Sequence, residues 1–92
     1  MEETNRISAV PDWVCEVLSP STIRVDKIKK MHIYARHGVP HFWLIDPIAR
    51  TLYVLRLETD KWVVAGVYAE DDKVRAEPFQ EAEIALKSLW LD

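Results

Sequence analysis

Apolar residues fill the run Trp13-Val14-Cys15-Glu16-Val17-Leu18 with the single exception of Glu16, and the pattern predicts a largely buried strand over 13–18. Pro11-Asp12 opens the run and Ser19-Pro20-Ser21-Thr22 closes it. Ser19 reads there as a helix N-cap, with Pro20 at the first helical position. The spacing then changes. Ile28, Met31 and Ala35, flanked by Val25 and Tyr34, recur at helical intervals, predicting a helix from about Thr22 to His37 with Asp26 near its positive end. Gly38 is its expected stop. A second strand, His41 to Asp46, lies between Pro40 and the turn Asp46-Pro47. Thr51 to Leu57 and Lys61 to Tyr68 flank Glu58-Thr59-Asp60 and read as a hairpin. Beyond Asp71-Asp72 comes a weaker segment, Lys73 to Ala76. Ile84, Leu86, Leu89 and Trp90 then predict a short helix within 81–90.

The order β-α-β-β-β implies an α/β fold: a mixed sheet whose first two strands are parallel and joined by one right-handed crossover helix. The remaining strands add antiparallel. No element in this order is left to cover the second face of the sheet. An open apolar face carrying some of Trp13, Trp43, Trp62 and Trp90 leads us to expect a homo-oligomer.

A chain of 92 residues makes one domain, and its 49% hydrophobic content with four tryptophans excludes an intrinsically disordered chain. The polar residues 1–10 read as a flexible N-terminal segment preceding a domain at 11–92. One cysteine excludes an internal disulfide and fits the cytoplasm. Cys15, inside the strand, reads as a small buried hydrophobe. No apolar run is long enough to cross a membrane. The net charge of −3 means that any contact with DNA must come from a local basic patch.

Glu16 is the residue that demands an explanation, because an unpaired carboxylate in an apolar strand costs several kcal/mol. It needs a cationic partner, a proton or a metal ion. Asp12, four residues earlier, points to the same side of an extended strand but roughly 13 Å away, too far to share one ion. Asp26, Lys30 and Tyr34 share one helix face. Two readings of that face stay open: a surface ion pair, or a lysine that leans toward Glu16 and stabilises charge on a phosphate. Arg24, Lys27, Lys29 and Arg36 would extend it as a phosphate-facing patch or as an ordinary solvated face. His32, His37 and His41 lack zinc-ligand spacing, and no glycine-rich phosphate loop is present.

The string Pro11-Asp12-Trp13-Val14-Cys15-Glu16-Val17-Leu18-Ser19-Pro20-Ser21-Thr22 resembles the signature of the Uma-two-type restriction endonucleases, within the PD-(D/E)xK nuclease superfamily. The likeness continues through Asp26, Lys30, Tyr34, Gly38-Val39 and Phe42-Trp43-Leu44-Ile45-Asp46-Pro47. It implies a restriction-endonuclease-like core and Mg²⁺-dependent cleavage of DNA. By this resemblance Glu16 is the metal-binding strand acid, Leu18 stands where the superfamily's catalytic lysine sits while that lysine's role passes to Lys30 on the helix, and Asp12 matches a signature aspartate. The resemblance is read as confined to the C-terminal half of the family, with the N-terminal part of the family fold missing and the metal site left incomplete. A silent remnant serving as an oligomeric interaction module is the alternative to a nuclease.

Overall fold

The computed structural model describes residues 10–18 and 24–90, the side chains of 24–27 excepted. Strand β1 (Val14–Val17) is followed by helix α1 (Arg24–Arg36), then β2 (His41–Asp46), β3 (Thr51–Glu58) and β4 (Lys61–Ala69). Two short strands, β5 (Lys73–Val74) and β6 (Ile84–Ala85), and one 3-10 turn (Leu86–Leu89) complete the order. The main sheet runs β1-β2-β3-β4. As the crossover requires, β1 and β2 are parallel, with Val14 opposite Phe42 and Val17 opposite Ile45. Leu18 N–H extends the ladder to the Ile45 carbonyl at 2.8 Å. The other pairs are antiparallel, and one register shift in β4 lies opposite Val54 and Leu55. The β3–β4 hairpin turns on Thr59, at φ 63°.

The end of α1 is closed by backbone geometry. Gly38 adopts φ +79°, its N–H reaches the Ala35 carbonyl at 3.0 Å, and the Val39 N–H reaches the Tyr34 carbonyl at 3.0 Å. This pair of bonds is a Schellman motif, in which glycine occupies the left-handed position at no steric cost. The predicted cap at Ser19-Pro20 and the start of the helix at Thr22 lie outside the described residues, as do residues 1–9 of the N-terminal segment.

Strand alternation divides the apolar side chains between two layers. Phe42, Leu44 and Leu55 face α1 and pack with Val14, Leu18, Met31, Tyr34, Tyr53 and Trp62. Trp43, Ile45, Leu52 and Val54 face the other way and meet Val74, Ala76, Leu86 and Trp90. The second layer corrects two expectations. The face expected to lie open is covered by the chain's own C-terminal segment. Residues 81–90 are also not the predicted helix but a two-residue strand and a single 3-10 turn. Their backbone groups pair outward instead of along a helix: Ile84 lies opposite Val74, and Leu86 N–H donates to the Asp72 carbonyl at 2.9 Å. The indoles then fasten this segment, Trp90 Nε1–H donating to the Glu70 carbonyl at 2.6 Å and Trp43 Nε1–H to the Glu77 carbonyl at 2.8 Å.

Candidate functional site

Glu16 occupies the third residue of β1, opposite Leu44, so its side chain rises on the α1 side of the sheet. The crossover brings α1 back over β1, and two residues one helical turn apart reach down to the carboxylate. Lys30 Nζ lies 3.3 Å from Glu16 Oε1, and the Tyr34 hydroxyl donates to Oε2 at 2.6 Å. The two sides of the ion pair are unequal. Lys30 keeps 53% of its side chain exposed against 24% for Glu16, so the ammonium can leave the carboxylate for a ligand at little cost. Tyr34 is the firmer partner.

That hydrogen bond also acts on the phenol. Tyr34 is pushed up to about 12, chiefly by the hydrogen bond to Glu16, then by burial and by the charge of Glu16. A raised folded-state value means that the neutral phenol's stabilising contribution is complete below the ordinary phenol range and is lost as pH rises through about 12. Near-ultraviolet absorbance is therefore expected to show one late-ionising phenol, absent in Tyr34→Phe. A Tyr34→Phe titration superimposable on wild type would contradict the bond to Glu16.

The Cys15 thiol, on the opposite side of β1, is pushed up by burial and then by the neighbouring Glu16 charge, which suits packing and not nucleophilic attack. Asp12 lies exposed in a bend ahead of β1, and among the described residues no hydrogen bond or ion pair joins it to Glu16. The Asp26 side chain lies outside the described set. Asp46 shares the sheet side of Glu16, but its Oδ1 is engaged by the Ile48 and Ala49 N–H groups at 3.1 and 3.0 Å, as a turn cap. Among the described residues no three histidine, cysteine, aspartate or glutamate side chains gather as metal ligands. Tyr34 is the site residue that spacing undervalued: it was visible as a neighbour of Lys30, but not as the shortest contact of Glu16.

A family model described as "Putative restriction endonuclease", Uma2, matches residues 2–87. The chain belongs to the Uma2 family. The match corrects the expectation that the resemblance covers only a C-terminal half and that the N-terminal part of the family fold is missing, since it begins at residue 2 and takes in nearly the whole chain. A solved Uma2-like structure, described as a "putative nuclease belonging to DUF820 from Anabaena variabilis", shares 31% identity at a TM-score of 0.64. The alignment covers 86% of this chain and 43% of that one, so the chain spans less than half the length of that relative. No curated protein matches. Among the described residues no helix is long and apolar enough to cross a membrane.

Proposed function

We propose that this chain carries a Mg²⁺-dependent endonuclease site that hydrolyses DNA phosphodiesters, with Glu16 and Lys30 at its centre. The observation that supports it most is the Glu16 carboxylate, raised on the helix side of β1 between Lys30 and Tyr34, in a chain of a nuclease-like family. Mg²⁺ is commonly held by one or two carboxylates together with waters and substrate phosphates. Glu16 fits as one such ligand, because among the described residues its Oε1 is held by the displaceable Lys30 alone. A bound divalent ion would supply Lewis acidity and a more acidic water. The chain's own groups do the rest. Lys30, released from Glu16, places its charge against the phosphate as negative charge develops there. Tyr34 stays neutral and holds the Glu16 carboxylate in orientation. A single carboxylate holds Mg²⁺ loosely, so cleavage is expected to climb with Mg²⁺ well beyond the range in which a multi-carboxylate site saturates. Calorimetric Mg²⁺ or Mn²⁺ titration beside a cleavage assay tests the reading, and an ion dependence indifferent to Glu16 would defeat it.

A second reading, self-association, draws on Val64 and Val67, which are 57% and 53% exposed on edge strand β4. Such residues together favour a partner surface. Sedimentation velocity is expected to show a dimer or larger species, and a monomer at high micromolar concentration would set this reading aside.

A further inference from the structure

The flank of α1 turned away from Glu16 holds a second feature. Lys30 and His32 are two residues apart and so point about 160° apart around the helix axis. On the His32 side, α1 and the β3–β4 hairpin border an open concavity of 490 Å³ lined by His32, Ala35, Arg36 and Asp60. A second concavity of 340 Å³ shares His32, Ala35 and Asp60 and adds Lys61 and Trp62. Together they make a channel between helix and hairpin.

Its chemistry is uneven in an informative way. The chain as a whole is acidic, at −3, yet residues 27–45 contain no aspartate or glutamate while holding Lys27, Lys29, Lys30 and Arg36. Lys29, Lys30 and Arg36 are exposed cations on α1. Arg36 lines the first concavity and Lys61 the second, and Asp60 lines both. The indole of Trp62 is held in place: Nε1–H donates to the Met31 carbonyl at 3.0 Å, and Phe42 stands behind the ring at 5.5 Å. A fixed aromatic wall with cations nearby is a combination by which proteins hold single-stranded nucleic acid, stacking a base and neutralising the backbone.

We propose that the channel between α1 and the β3–β4 hairpin is a binding site for a single DNA strand, with Arg36 and Lys61 taking phosphates and Trp62 the face of an unpaired base. This rests on the reading of the chain as a nuclease and adds the surface that holds its substrate. A strand crossing α1 over the exposed Lys29 and Arg36 would connect a base in the channel with a phosphate at Lys30.

The test separates binding from cutting by removing divalent ions. With EDTA present, fluorescence anisotropy of a labelled oligo-deoxythymidine is followed across a salt series. Wild-type protein binds with a salt-dependent affinity. Replacing two phosphate contacts by the double variant Arg36→Ala/Lys61→Ala lowers the log-log salt slope by about 1.4, at about 0.7 per single-strand phosphate. Both positions are exposed, so the fold is preserved. Trp62→Phe keeps an aromatic ring on Phe42 but shrinks the stacking surface, weakening binding several-fold, and Asp60→Asn tightens it. No binding in EDTA, or an unchanged slope in the double variant, overturns the proposal even if the protein cuts DNA. Binding that depends on these residues, in a protein that never cuts with Mg²⁺, supports the channel and overturns the nuclease reading instead.

Discussion

Glu16→Gln is expected to lower Mg²⁺-dependent DNA cleavage by at least about 100-fold, a loss as large as the most severe seen when the groups supporting a metal ligand are removed. The substitution is nearly isosteric. The amide oxygen still accepts the Tyr34 hydroxyl bond, so position and packing survive while the negative charge does not. Loss of activity with unchanged thermal unfolding would assign the effect to the charge and not to the fold. Lys30→Ala is expected to follow with a kcat loss of about 10²–10³, the scale measured when one preorganised donor to a developing anion is removed. Full activity in Glu16→Gln would mean that cleavage arises elsewhere in the molecule, and the proposed site would fall with it.

Phe42→Ala is expected to produce the largest loss of stability, about 3–5 kcal/mol, as large buried-to-small substitutions do. Small domains are stable by only about 5–15 kcal/mol, so the variant should approach unfolding at physiological temperature. Phe42 is fully buried at the centre of the layer under α1, with Tyr34 at 5.7 Å and Trp62 at 5.5 Å. Removing the ring leaves a void beneath both. Tyr34 would lose the surface that sets its reach toward Glu16, so residual activity should fall more steeply than the folded fraction. Urea unfolding measures the first effect. Ile48→Ala, at a residue 72% exposed, serves as the control and should change stability by less than about 0.5 kcal/mol. A loss in Phe42→Ala no larger than in this control would mean that α1 does not rest on Phe42.

The central part of the fold was legible because its signals are local and redundant. His41–Asp46 is an apolar run bracketed by prolines, and its strand has the predicted limits. The parallel pairing with β1 followed from the single helical crossover. The meeting of Glu16 with Lys30 was one of two readings the sequence left open, and the crossover that returns α1 over β1 decides for it. The C-terminal segment was not. Ile84, Leu86, Leu89 and Trp90 have helical spacing, but what decides their structure is the exposed side of Trp43, Leu52 and Val54, a surface that exists only once the sheet has formed. Tyr34 was undervalued for a related reason: its hydroxyl reaches Glu16 only at a particular helix height above the sheet, which sequence spacing does not encode.

The Gly38 turn has a consequence for how the family can vary in length. The Tyr34 carbonyl is tied to the Val39 N–H, and Val39 is itself buried two residues before β2. Helix and strand are thereby joined as a rigid elbow. One residue inserted in the last turn of α1 rotates the capped end by about 100° relative to Lys30 and Tyr34, so the cap and the Glu16 contacts cannot both be kept. Length is therefore constrained between α1 and β2 by chemistry two helical turns away, whereas an extra residue at the tip of the β3–β4 hairpin leaves the Glu16 contacts in place.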